Sequence, residues 1–425
     1  MRSWLKRQIY KRVTSLSRRD GARTRLAARR QARGEPRTLH YFHRFGDPAS
    51  AITAPLLARM AARFDVVVVC HLVGDPDPAV VPEPAQLETF ARVDADRLAR
   101  RMGLDFRDPG GPVGEGRIDL AERAVLDRLE GADALGAICH IDAALWSGEA
   151  IVDASSRPAD AVKHEGARLR DRLGHFQSGT VWYEGEWYWS ADRLHYLEAR
   201  LETEGARLDG EAADAVAPVL HETQAEGDVH GACLEFYPSL RSPYTYLAAE
   251  RTFALARRWN ATVEIRFVLP MVMRKLPVPR RKGVYFLKDC AREAERMGMP
   301  FGNICDPLGR PTERGLAVLH HANETGRGEA FLLSFLKGVW ADGLDGGSDR
   351  GLRRIAERAG LDWAETRAAL DDASWRDVAE RNRTRLTGLG LWGVPSFHVG
   401  DLAIWGQDRL WVVERELKRL AGAPQ

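Results

Sequence analysis

Cys233-Leu-Glu-Phe-Tyr-Pro-Ser-Leu-Arg-Ser-Pro-Tyr-Thr-Tyr-Leu247 runs from an apolar stretch of strand character, through a short loop, into an amphipathic helix opened by Ser242-Pro243. Serine at the N-cap and proline at the first helical position suit a helix start. The hydroxyl accepts a first-turn N–H, and proline lacks an N–H that would have no partner there. A strand that delivers the chain to such a start leaves free N–H groups and the positive end of the helix dipole facing outward, which is a place to hold an anion.

Two further stretches complete the pattern. Trp392-Gly-Val-Pro-Ser-Phe397 enters a short apolar run, Gly400-Asp401 follows, and Leu402-Ala-Ile-Trp405 returns, which reads as a hairpin. Trp405-Gly-Gln-Asp-Arg-Leu410 then opens a last amphipathic helix. Residues 285–370 in between show helical periodicity and are too long for a loop. Strand, helix, strand, a helical insertion, a hairpin and a final helix is a thioredoxin-type α/β order.

The first half carries the same plan. Thr-Leu-His-Tyr-Phe from residue 38, a helix after Asp47-Pro48, and Val66-Val-Val-Val-Cys70 overlay the second half at 242 − 47 = 195. Trp146 falls near Trp340, and Trp189-Ser-Ala-Asp-Arg-Leu194 matches Trp405-Gly-Gln-Asp-Arg-Leu410 at 405 − 189 = 216. Three matches in one order imply an internal duplication. The expected organisation is a basic helical arm over residues 1–37, a first domain over 38–205, a linker over 206–230 and a second domain over 231–425.

Composition bounds the rest. The 425 residues are 44% hydrophobic with a net charge of +2, ordinary for a globular chain of two or three domains, and no apolar run is long enough to span a membrane. The charge is uneven: residues 1–37 hold 13 Lys/Arg against Asp20 and Glu35, so 13 − 2 = +11 there and 2 − 11 = −9 elsewhere. Cys70, Cys139, Cys233, Cys290 and Cys305 are odd in number and lack a C-x-x-C, which argues against a disulfide framework or a zinc site and for a reducing, cytoplasmic setting. No secretory signal is visible.

In the arm, Leu5, Ile9, Val13 and Leu16 share a helix face amid Lys6, Arg7, Lys11 and Arg12. One reading is an interfacial helix making peripheral membrane contact; the other is a solvated arm whose apolar stripe packs on the protein, which we take as the expectation. Without aromatic interleaving no nucleic acid is expected.

Phe236-Tyr-Pro-Ser-Leu-Arg-Ser242-Pro243-Tyr-Thr-Tyr-Leu247, Lys288-Asp289, Arg296-Met-Gly-Met-Pro-Phe301, Val339-Trp340-Ala-Asp-Gly, Trp392-Gly-Val-Pro395 and Trp405-Gly-Gln-Asp408-Arg409-Leu410 together resemble the 2-hydroxychromene-2-carboxylate isomerase and kappa-class glutathione transferase family of the DsbA-like thioredoxin superfamily. The resemblance covers nearly all of 232–420. It implies two thioredoxin-like (DsbA-type) domains, each with an inserted helical subdomain, and glutathione as cofactor. By position, Ser242 is then the catalytic serine, Val394 the residue that pairs with glutathione before a cis-Pro395, and Trp405, Gly406, Gln407 and Asp408 the segment holding the γ-glutamyl end. A small electrophilic, aromatic-derived substrate follows, and a homodimer stays open. The chain departs from the family at Pro238-Ser239-Leu240 and in the run after Phe301.

The chemistry stands beside the name. A thiol at the start of the Ser242 helix is acidified, because its thiolate accepts the hydrogen bonds and is favoured by the dipole. The bland alternative is that Ser-Pro is only a good helix start. In the first copy Asp47 stands for Ser242 and Gly179 for Pro395, so that copy reads as degenerate, or as binding another ligand around His43, Arg44 and Asp47. Two rivals remain: a thiol-disulfide oxidoreductase, disfavoured by serine at 242, and a non-catalytic two-domain binding protein. His320-His321 point about 100° apart on a helix and make no metal pair. Gly110–Gly116 and Gly343–Gly347 read as loops, and most tryptophans as core, with Trp392 and Trp405 flanking the site.

Overall fold

The computed structural model describes residues 2–152, 154–210, 215–276 and 278–422, with the side chains of residues 2–4 not described. Residues 211–214 of the expected linker and 423–425 of the expected second domain lie outside that set. The chain forms two compact units, Asp20–Val219 and a second made of Met1–Arg19 with Leu220–Gln425. Two helices come first, α1 (Arg2–Val13) and α2 (Leu16–Ala32).

The Asp20–Val219 unit contains β1 (Thr38–His43), α3 (Pro48–Ala61), β2 (Val67–Leu72), the helices α4 (Pro84–Met102), α5 (Glu115–Val125), α6 (Ala134–Ser147) and α7 (Asp160–Leu173), then β3 (Thr180–Tyr183), β4 (Glu186–Trp189) and α8 (Ala191–Thr203). Its sheet has the order β2-β1-β3-β4, with β1 parallel to β2 and antiparallel to β3. Arg23 lies on Glu186 with N–O distances of 2.5 and 2.8 Å, and Arg30 reaches Glu184 and Glu204, which the buried Arg200 also holds.

The second unit continues with β5 (Cys233–Tyr237), α9 (Pro243–Arg258), β6 (Thr262–Ile265), the helices α10 (Arg280–Arg296), α11 (Arg310–Glu324), α12 (Gly328–Trp340), α13 (Asp349–Arg358), α14 (Trp363–Ala368) and α15 (Trp375–Gly388), then β7 (Ser396–Val399), β8 (Leu402–Trp405) and α16 (Leu410–Leu420). The order β6-β5-β7-β8 repeats the first sheet's neighbours and directions. Cys233 pairs with Thr262 as Thr38 does with Val67, and Ser396 with Trp405 as Thr180 does with Trp189. Apolar residues bury the sheet faces: Phe236 stacks on Phe397 at 5.4 Å, and both are fully buried.

One expectation needs correction. The apolar stripe packs only in part: Leu5 is 56% and Ile9 52% exposed, while Val13 and Leu16 are half-buried. On the polar side, Arg7 donates to Asn303 and Tyr10 to Asp306, while Arg19, at the start of α2, pairs with Glu295. Hydrogen bonds from α1 to a polar surface accompany the exposure of those two aliphatic side chains. In the segment expected to be the linker, residues 216, 217, 222 and 223 make hydrogen bonds. Val216 and Ala217 N–H groups donate to Glu198, while Thr223 donates to Glu414 and Glu222 receives Arg251.

Candidate active site

β5 ends at Tyr237, and the turn Pro238–Arg241 leads into α9 with Ser242 as N-cap at φ −95°, ψ 115°. Those extended angles let Ser242 Oγ accept the Thr245 N–H at 3.1 Å, the reciprocal geometry of a serine cap. The hydroxyl's own proton points toward the Val394 carbonyl at 3.5 Å, the long limit of a hydrogen bond. A better acceptor placed beside it would take that proton at little cost.

Val394 belongs to the loop entering β7, and the Val394–Pro395 peptide is cis. The Pro395 carbonyl accepts from Gly406 N–H at 3.0 Å, which joins the loop to the turn after β8. Trp405 lies so close over Gly393 that a side chain there would collide with its ring, and Trp392 packs on Trp405 at 5.2 Å between centroids. Arg274 adds a clamp from the next loop by donating to the Trp392 carbonyl at 3.0 Å. Gly406, at φ +119°, turns the chain so that Asp408 Oδ1 comes back over its Cα, and Asp408 pairs with Arg409 at 3.2 Å.

The structure thus brings Ser242, Val394 and Pro395 together, and links Pro395 directly to Gly406. Trp405 contributes its ring face. Gln407 is placed differently: it is 2% exposed, its amide oxygen accepts from Arg251 at 3.0 Å, and its amide nitrogen donates to Glu293 at 3.0 Å. Its side chain braces the turn from behind. Arg251, on the third turn of α9, carries that brace and was not singled out in the sequence, because its partners lie 156 and 29 residues away.

α10 runs beside the start of α9. Tyr244 packs edge-on against Phe286 at 5.5 Å and donates to Asp289 at 2.9 Å. One turn earlier sits Lys282, buried, 5.7 Å from the Phe286 ring centre, and burial pushes its ammonium down to about 8. Arg241, immediately before Ser242, forms two hydrogen bonds to Asp306 at 2.8 and 3.2 Å. No cysteine lies at the helix start; Cys233 is exposed in β5, its thiol pushed up by burial and then by Glu264. Among the described residues no cluster of His, Cys, Asp or Glu suits a metal, and no helix is long and apolar enough to cross a membrane.

In the other unit Asp47 is the N-cap of α3, with the same angles, φ −95° and ψ 115°. Its carboxylate is buried and committed: Oδ2 accepts from Ser50 N–H, Ser50 Oγ and Ser178 Oγ at 3.1, 2.7 and 2.8 Å. Gly179, just before β3, has φ +62°, and a Cβ there would collide with the Ala49 and Ser50 backbone. Nearby, His43 is held near 3 by burial, 3.5 Å from Asp142, whose carboxyl burial raises.

Residues 233–418 match the DSBA-like thioredoxin domain family. The chain is 26% identical over 194 residues to a 2-hydroxychromene-2-carboxylate isomerase of Sphingobium xenophagum, covering 43% of this chain and 97% of that protein. It is 24% identical over 204 residues to one of Pseudomonas sp. strain C18, covering 45% and 91%. A solved 2-hydroxychromene-2-carboxylate isomerase aligns with 21% identity and a TM-score of 0.39, covering 44% of this chain and 95% of that one.

Proposed function

We propose, starting from a DsbA-like thioredoxin domain over residues 233–418, that this chain is a glutathione-dependent isomerase or transferase whose live site is at Ser242. The observation that carries the reading is the loosely engaged Ser242 hydroxyl at the start of α9, facing the Val394 carbonyl. A glutathione thiolate there accepts that proton as a hydrogen bond and lies at the positive end of α9, so its thiol is acidified. Ser242 is a donor to sulfur and does not itself attack. Val394 supplies backbone pairing to the peptide, and Asp408 is placed to receive its α-ammonium group.

The thiolate then forms a bond to an electrophilic carbon of a conjugated substrate. In isomerisation the adduct rotates about the bond made single by addition, and the thiolate leaves again with its electron pair, so glutathione is returned. In transfer the carbon–sulfur bond stays. The names of the two relatives favour isomerisation. A disulfide-exchange role needs a reactive thiol at position 242, where serine stands.

We also read residues 38–205 as a second, degenerate copy of the same plan. The shared sheet order, the shared register and the matching helix start at Asp47 support this. An anionic carboxylate in the serine's place repels a thiolate, so that copy holds no glutathione.

Calorimetry with glutathione on the full chain and on Ser242→Ala and Asp408→Ala tests the reading. Binding by the parent, a thiol pKa raised by about one unit or more in Ser242→Ala and weakened affinity in Asp408→Ala are expected. No binding by the parent, or an unchanged thiol pKa in Ser242→Ala, would sink it.

A further inference from the structure

We propose that the outward face of α1 is a docking surface for an anionic lipid bilayer, which takes up Leu5 and Ile9 while Lys6, Lys11 and Arg12 meet its headgroups. The inference stands on α1 and does not depend on the glutathione reading.

α1 lies beside α10 and is fastened along one side. Arg7 Nε donates to Asn303 Oδ1 at 2.6 Å, and Tyr10 Oη donates to Asp306 Oδ2 at 3.2 Å. Burial first, then Asp306, pushes the Tyr10 phenol up to about 12, which keeps it a donor throughout the neutral range. Thr14 is pressed on Gly302, where an added Cβ would lie 2.5 Å from Thr14 Oγ1, and the Arg7 guanidinium covers Gly343 in the same way. Arg7, Tyr10 and Thr14 recur at spacings of three and four, so they form one stripe along the helix. These contacts fix how α1 is rotated about its own axis. At about 100° per residue, Leu5, Ile9 and Arg12 fall on the opposite side and point away from the domain. The exposures agree: Leu5 is 56% and Ile9 52% exposed, and Lys6, Gln8, Lys11 and Arg12 around them are exposed too.

Charge and apolar character together select the occupant. Residues 1–19 hold seven Lys/Arg and no Asp or Glu, so a partner that complements them is anionic. Two aliphatic side chains at the centre of the cationic face add a second demand, an apolar layer directly beneath the negative charge. An anionic bilayer supplies both, with phosphates over hydrocarbon, and Lys and Arg reach those phosphates while their stems lie along the apolar layer. A nucleic acid supplies phosphates without such a layer. It would read α1 through a stacking ring, and the Tyr10 ring is turned inward onto Asp306. The geometry therefore lays α1 flat in the headgroup region, its Arg7–Tyr10–Thr14 side still holding the domain.

The test is co-sedimentation of the full chain with vesicles of phosphatidylcholine alone and of phosphatidylcholine mixed with phosphatidylglycerol, at low and high salt. Binding to the mixed vesicles alone, weakening as salt rises, is expected. Leu5→Ala/Ile9→Ala should lower that affinity about tenfold or more by removing the inserted groups, and Lys6→Gln/Lys11→Gln about tenfold or more by removing two headgroup contacts. Both pairs change exposed side chains, so unfolding midpoints should stay within about 2 °C of the parent's and the loss of binding reports on the face itself. A DNA duplex and polyglutamate at the same ionic strength serve as the other anionic partners. No preference for the mixed vesicles, parental affinity in Leu5→Ala/Ile9→Ala, or tighter binding to the duplex or to polyglutamate overturns the proposal.

Discussion

Ser242 caps α9 with its lone pairs toward Thr245 N–H while its proton is offered to the Val394 carbonyl, the proton that in our proposal goes to sulfur instead. Ser242→Ala should therefore cost about 1 kcal/mol in denaturant unfolding from the lost cap, on top of its effect on bound thiol. Lys282 offers a pH test. Its folded value is near 8 and the unfolded one about 10.4, so between them the unfolded chain binds more protons and stability rises with pH; below 8 the full burial cost is present. Lys282→Met should flatten that rise and stabilise the protein at pH 7 by up to about 3 kcal/mol, read from unfolding curves at several pH values. Residues such as Ser242 and Pro395 were legible because their chemistry is local. The inward turn of Gln407 was not, since Arg251 and Glu293 decide it from other helices.

At the scale of elements, the hairpin β7–β8 matters through the turns at its ends. The Trp405 ring rests on Gly393, which carries the chain into Val394. Gly393→Ala should cost roughly 1–3 kcal/mol by overpacking and weaken glutathione binding, measured by unfolding and calorimetry on the same sample. Alternation and turn residues made this hairpin readable from sequence, as Ser-Pro made the start of α9. The periodicity of α1 was equally readable but misleading about which side packs. A hydrophobic stripe identifies a face, while the side that docks depends on what the rest of the chain presents, here Asn303 and Asp306.

At the scale of the whole molecule, two units carry one sheet plan, but different groups stand at the helix start. On the proposed reading, calorimetry should give one glutathione per chain, and a stoichiometry of two would contradict the proposal that the Asp47 unit holds none. Asp47→Ala strands three donors and should cost about 2–3 kcal/mol in unfolding while leaving glutathione affinity at Ser242 unchanged. The sequence by itself determined the α/β order and the residue at each helix start, because these follow from periodicity, turn chemistry and capping between near neighbours. Only the tertiary structure decided that Gln407 faces inward, that α1 docks by its polar side and that Tyr10 reaches Asp306 across 296 residues of chain. Those are choices among partners that local spacing cannot distinguish, made when the folded surface offers one set of hydrogen bonds and denies another.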